Sequence, residues 1–214
     1  NNIVTIQPDS LRILHNPLTG WVLYASMGVD AADFWAQYDH MYIPELGHNV
    51  SVTDYAHTLY IRASWTDFNP QEDVYGWKID SNLRAYIEGA YQRNMRLAFR
   101  VVVDSRDKRT EFTPQFVKDA GAKGFMNKGK WSPYSDDPVF QKYYTKFVKA
   151  LAKDFNDPSK VEFIDGFGLG KWGEYHTMIY STGDDTPKKA VFDWVTDIYS
   201  QAFDKVPVVI NYLS

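Results

Sequence analysis

The sequence contains no cysteine, so neither a disulfide framework nor thiolate chemistry is open to it. That absence leaves the redox compartment undecided, because an extracellular protein can simply lack cysteine. No apolar run approaches the roughly 20 residues that cross a bilayer. Basic residues never form a block: 23 Lys and Arg stand against 27 Asp and Glu, giving a formal net charge of -4. Nucleic acid and anionic membrane are therefore not expected partners. Histidine is scarce as well. His15, His40, His48, His57 and His176 show no paired ligand spacing, and no D-x-[DN]-x-[DN]-G loop occurs, so no metal and no cofactor is expected. An initiating methionine is also missing: the chain opens on Asn1-Asn2, as a mature form trimmed of a targeting segment would. An extracellular or periplasmic location is expected over a cytoplasmic one.

Aromatic residues are plentiful, with seven Trp, fifteen Tyr and thirteen Phe making 16% of the chain. Most must be core, where burial makes best use of their area. The excess leans toward carbohydrate, because the flat C–H faces of sugar rings pack on Trp and Tyr. With 214 residues the chain is long enough for one well-buried domain, and no linker or repeat divides residues 1–214.

Strand-like and helix-like stretches alternate. Short apolar strands are predicted near 21–26, 58–64, 95–104, 161–169 and 207–212. Asp30 is placed to cap a helix over 31–40 with Phe34, Trp35 and Tyr38 on its buried side. Asp80 or Ser81 opens a second near 80–93, with Leu83, Ile87, Ala90 and Tyr91 facing inward. Thr113-Pro114 starts a short helical piece. Asp137-Pro138 starts a long helix near 138–155 with a stripe of Phe140, Tyr144, Phe147, Leu151 and Phe155, and Thr186-Pro187 starts another near 187–204. Residues 44–54 and the Gly- and Lys-rich stretch carrying Trp131, Pro133 and Tyr134 read as loops. Long connections after strands and short ones after helices point to parallel βαβ units, hence an α/β fold.

The stretch Val161–His176, VEFIDGFGLGKWGEYH, runs from a buried strand into four glycines and ends on Glu174 beside Trp172, Tyr175 and His176. A carboxylate where a strand runs out into a loop sits on a rigid base yet is open to a ligand. A solvated Glu in a loop is the plainer alternative. Gly168, Gly170 and Gly173 also match G-x-G-x-x-G, but no helix follows at once and Glu174 would repel a phosphate, so the nucleotide reading fails.

Two segments resemble a known family. Trp65 to Trp77, WTDFNPQEDVYGW, resembles the W-x-x-x-x-P-x-x-G-x-Y-x-W segment after an early barrel strand in clan A (β/α)₈ glycoside hydrolases of the β-galactosidase-like type, with Asp73 standing where that family has Gly. Gly170 to His176 looks like the end of the fourth barrel strand, where the clan keeps its general acid/base Glu, although Gly173 replaces the usual preceding Asn. The resemblance covers roughly residues 17–214 as strand order and implies a parallel (β/α) barrel of TIM type, here with about five of eight units.

That family implies a two-carboxylate retaining mechanism, with a second carboxylate about 5–5.5 Å from the acid/base. Glu174 would be the acid/base, and the nucleophile, at the seventh strand in the family, would lie outside this chain. His176 and Tyr175 would orient Glu174 or bind sugar hydroxyls, or else serve loop and core. Arg62 and Arg100 interrupt apolar strands; if they point into the barrel they need carboxylates, either a catalytic one or a structural partner such as Asp104 or Asp165. Trp65 and Trp172 are candidate sugar platforms, Trp65 with core packing as its stronger alternative, and Asn211 in the fifth strand joins the substrate-binding set. A non-catalytic carbohydrate-binding or surface protein on the same scaffold is the second function class. Five parallel strands leave edges, so a C-terminal segment or a second subunit is expected to cover strand 207–212.

Overall fold

The computed structural model describes residues 19–106, 108 and 110–210. In chain order the elements are β1 (Trp21–Tyr24), α1 (Ala31–Asp39), β2 (Met41–Ile43), β3 (His48–Val50), β4 (Ala56–Ser64), α2 (Trp65–Phe68), α3 (Gly76–Ile79), α4 (Ser81–Gln92), β5 (Arg96–Val102), α5 (Gln115–Asp119), β6 (Gly124–Asn127), β7 (Lys130–Pro133), α6 (Pro138–Phe155), β8 (Val161–Asp165), α7 (Lys188–Ala202) and β9 (Val208–Val209). Five of the strands form one parallel sheet in the order β1-β4-β5-β8-β9. Each sheet strand therefore neighbours the next sheet strand along the chain. A doubly wound sheet would turn back around its first strand; this one advances in a single direction, as a barrel wall does.

The helices start where the sequence places caps. Asp30 accepts the amide of Ala32, Asp80 that of Leu83, and Asp137 that of Phe140 at 2.8 Å, with Pro138 in the first turn. The Thr186-Pro187 start differs: α7 begins at Lys188, which puts Pro187 at the N-cap, and proline has no side-chain acceptor to offer. Two antiparallel hairpins form as well: β3 and the whole of β6-β7 lie in stretches expected to be loops, and β2 stands just before the first of these. The segment after β4 is regular in part. It winds into α2 and α3, with Ser64 and Asp67 forming a reciprocal capping box.

Alternation divides the sheet into two faces. Leu59, Ile61, Leu97, Phe99 and Ile164 face outward and are buried beneath the helices. The α6 stripe closes over them: Phe155 lies 4.8 Å from Phe99, and Phe147 meets Trp77 and Phe68. On the inner face Tyr24 packs on Tyr60 at 5.3 Å and Tyr60 on Phe163 at 6.5 Å. That face is less covered, and at both edges apolar side chains meet solvent: Trp21 is 78% exposed on β1 and Val209 44% on β9. The fifth strand is shorter than the predicted 207–212, and residues 211–214 lie outside the described residues.

Candidate active site

The carboxyl ends of β5 and β8 carry the polar groups. Arg62 on β4 and Arg100 on β5 are register partners on the inner face. Arg100 donates from Nε to Asp165 Oδ2 at 2.9 Å, and its Nη1 reaches Glu174 Oε1 at 2.8 Å. Nη2 of the same guanidinium lies 2.7 Å from Asp165 Oδ2. Tyr60 donates its hydroxyl to that oxygen as well, at 2.5 Å. Burial, then the bond to Asp165, pushes the Tyr60 phenol well above its ordinary range. Four side chains from three adjacent strands and one loop thus form a single network.

Beyond Asp165 the backbone leaves regular strand geometry. Gly166, Gly168, Gly170 and Gly173 all take positive φ. At Gly168 no other residue fits: a Cβ would stand 2.2 Å from the Val101 carbonyl oxygen and 2.7 Å from the Tyr144 hydroxyl. The segment still tracks its neighbours, with the Val103 amide bonded to the Gly168 carbonyl and the Gly166 amide to that of Val209. Lys171 and His176 then bridge antiparallel around a tight turn. Trp172, Tyr175 and Thr177 are left-handed too, with φ of 60°, 57° and 47°. Strained non-glycine residues of this kind cost of order 1–3 kcal/mol each and gather at functional sites.

The turn is tied down from three sides. Arg62 Nη2 donates to the Trp172 carbonyl at 2.7 Å. Arg106 Nη2 donates to the Thr177 carbonyl at 2.7 Å, and its Nε to buried Asp104 at 2.7 Å. Asp104 in turn accepts from Ser132 of the β6-β7 hairpin at 3.2 Å. Behind the turn, Tyr144 on α6 donates to the Phe167 carbonyl at 2.8 Å.

The sequence candidates sort accordingly. Glu174, Arg100, Arg62, Trp172 and His176 come together. His176 Nε2 lies 3.8 Å from Glu174 Oε2, and its ring sits against that of Trp172 at 5.4 Å. Trp172 remains 39% exposed. Tyr175 lines the buried wall of the crevice beside Glu174. It is buried against Phe167 and Phe192, donates to the Lys188 carbonyl at 3.3 Å, and its phenol is pushed up by burial. Trp65 is no sugar platform: it is fully buried, with Tyr144 5.1 Å and Phe147 5.7 Å away. Asn211 lies outside the described residues. Asp165 and Tyr60 complete the network. Asp165 was foreseen only as a structural partner for an arginine, and Tyr60 not at all, because cross-strand register is invisible in the chain.

Asp165 and Glu174 share one cation. The Arg100 guanidinium stands between them, and Asp165 Oδ2 already accepts from Tyr60 and Arg100. The crevice bounded by Arg100, Asp165, Glu174, Phe192 and Ile210 encloses only ≈ 10 Å³, about one water. Among the described residues no group of three or more His, Asp or Glu side chains could hold a metal. No described helix is long and apolar enough to cross a membrane.

No protein-family model and no curated protein sequence matches this chain. Solved structures do. The exo-β-1,4-mannosidase Op5Man5 from Opitutaceae bacterium strain TAV5 superposes with a TM-score of 0.51 at 17% identity, over 75% of this chain and 26% of that one. GH5_18 from Streptomyces cattleya, in complex with GlcNAc, gives 0.54 at 13% identity over 88% and 43%. A mutant of the intracellular xylanase TsXylA from Thermoanaerobacterium saccharolyticum, with xylotriose, gives 0.52 at 10% identity over 89% and 52%. At these identities the likeness is one of fold. The chain has the parallel (β/α) architecture of TIM-barrel glycoside hydrolases and spans between 26% and 52% of the length of these three.

Proposed function

We propose that this chain is the N-terminal part of a retaining glycoside hydrolase acting on oligo- or polysaccharide, with Glu174 as general acid/base and the nucleophile outside residues 1–214. One observation carries the reading: Glu174 stands just past the fourth strand of a glycosidase-type sheet, held by Arg100 from the third. Arg100 occupies Oε1, which leaves Oε2 to give and regain the proton, with His176 beside it. Trp172 offers the adjoining aromatic surface. In the first step the acid protonates the departing glycosidic oxygen as the nucleophile closes on the anomeric carbon; in the second it takes a proton from the attacking water.

Among the described residues the inner face is thinly covered, and the edge strand β9 and the residue after it expose Val209 and Ile210, which supports a further segment of the protein or a second subunit completing the wall. The 214-residue chain alone is then inactive. In the protein carrying the remaining strands, Glu174→Gln lowers turnover of substrates with poor leaving groups by several orders of magnitude. It spares glycosylation by activated aryl glycosides, and azide rescues Glu174→Ala. Unchanged kinetics in Glu174→Gln would remove the residue from the mechanism.

A second reading, carbohydrate binding without catalysis, is favoured by the completeness of the Arg100 network. Asp165 and Glu174 both take donors from the one guanidinium. Turnover that survives in neither form of the protein, alongside Trp172-dependent sugar binding, would decide for it.

A further inference from the structure

Arg106 follows β5 at the carboxyl end of the sheet, with its side chain only 11% exposed. Its Nε donates to Asp104 Oδ2 at 2.7 Å, and its backbone amide to Asp104 Oδ1 at 2.8 Å. Asp104 is fixed in turn by Ser132, whose hydroxyl also accepts the Ser105 amide at 2.8 Å. The guanidinium carbon lies 5.4 Å from the centroid of Phe125 in the same β6-β7 hairpin. From this anchor Nη2 reaches across to the Thr177 carbonyl at 2.7 Å. Thr177 has a φ of 47°, which a β-branched residue seldom adopts. Such a position persists only where its surroundings over-determine it, and here a charged donor on the carbonyl helps to do so. The Thr177 hydroxyl meets His176 Nδ1 at 3.2 Å, and His176 Nε2 lies 3.8 Å from Glu174 Oε2. A continuous path thus runs from buried Asp104 to the Glu174 oxygen opposite the Arg100 bond.

Arg100 holds Glu174 by Oε1, and a carboxylate held at one oxygen can still swing about that bond. Where Oε2 points is then decided by the turn that carries it. We infer that Arg106 is a positioning residue for Glu174. It sets the aim of the acid/base through Thr177 and His176 and takes no part in the proton transfer itself. The inference rests on the acid/base reading above and deepens it.

The test has a structural arm and a kinetic arm. Amide hydrogen exchange of the 214-residue chain is compared with that of Arg106→Met and of Asp104→Asn/Arg106→Met. The double variant removes the buried charge together with its partner, so that no lone carboxylate is left to unfold the chain. The Lys171, Gly173 and Glu174 amides, bonded within the turn, should exchange at least about tenfold faster in both variants. The amides of β4 and β5 should keep their protection. Arg106→Lys should restore the turn, because an ammonium standing where Nη2 does meets Asp104 and Thr177 together. In the protein carrying the remaining strands, Arg106→Met should lower turnover of substrates with poor leaving groups by about 100-fold, as a misplacement of roughly 1 Å does. Activated aryl glycosides, which need little protonation, should be spared. A merely structural residue would lower both alike, through the folded fraction. Equal losses on both substrates, turn amides that stay protected in both variants, or no rescue by Arg106→Lys overturns the inference. Glu174→Gln is measured beside them. If it shows the dependence on leaving group and Arg106→Met does not, this inference fails and the acid/base reading stands. If Glu174→Gln is unchanged, or the unaltered protein turns over no glycoside, both fall.

Discussion

Arg100 Nη1 and Glu174 Oε1 are 2.8 Å apart, and the other edge of that guanidinium faces Asp165. Arg100 is therefore the cation that allows two carboxylates to share one end of the sheet. Replacing it with Met strips both of their partner at once. A loss of about 2–4 kcal/mol is expected, at the lower part of the range for buried pairs because all three groups are partly exposed. Urea denaturation measures it. Adding Asp165→Asn to Arg100→Met should recover part of the loss; a double variant no more stable than the single one would mean the carboxylates do not repel.

Alkaline titration provides a second check. Burial raises the phenols of Tyr86 and Tyr91 to about 12, and lifts Tyr60, Tyr144, Tyr175 and Tyr199 as well. The folded chain holds these protons more tightly than the unfolded one. Stability is thus full below the unfolded value of about 10 and falls as pH rises above it. Ultraviolet titration of phenolate should show these tyrosines silent near pH 10–11, then ionising together as the chain unfolds. Free ionisation of all fifteen tyrosines near pH 10 in a folded chain would contradict the burial.

A pair of glycine substitutions separates backbone strain from collision. Gly168 and Gly183 have φ of 73° and 77°, but only Gly168 has neighbours within 4 Å of a new Cβ. Gly183→Ala should cost about 1 kcal/mol through φ alone. Gly168→Ala should cost clearly more, since the Val101 carbonyl has nowhere to go. Thermal melts of the two variants give the difference, and equal shifts would mean the close approach at Gly168 is absent.

Trp65 and Trp172, both candidate sugar platforms in the sequence, should behave oppositely. Trp65→Ala empties a fully buried site and should cost about 3–5 kcal/mol. Trp172→Ala, at a 39% exposed position, should change stability by less than about 1 kcal/mol. Chemical denaturation of both variants suffices, and a ranking in the other order would contradict the placement of Trp65 in the core.

Much of the sheet was legible because each strand is a nearly continuous apolar run and each long helix carries a stripe with a capping Asp. The α6 helix runs over 138–155 as its stripe and its Asp-Pro start require. The hairpins at 41–50 and 124–133 were not legible, since strands of three or four residues show no alternation to count. The α2 capping box is visible in the sequence as Ser64 three residues before Asp67. Asp73, the departure from the resembled motif, has a local reason. Its φ is 59°, the left-handed region that Gly occupies freely and Asp tolerates, and its carboxylate meets Lys146 at 2.8 Å. At the site, Glu174, Trp172 and His176 were legible as neighbours along one loop. The Tyr60–Asp165–Arg100 chain depends on register between strands roughly 40 and 65 residues apart, which no local pattern encodes.

The one-directional strand order bears on how the molecule comes into being. Every strand of the sheet after β1 finds its first pairing partner in the sheet strand made before it. During synthesis, where N-terminal segments fold first, the wall can grow one unit at a time from the ribosome without waiting for a distant partner. Arg100 would already be in place when Asp165, and then Glu174, emerge to meet it. The Tyr60–Arg100–Asp165–Glu174 network would close last, onto a scaffold that is already rigid.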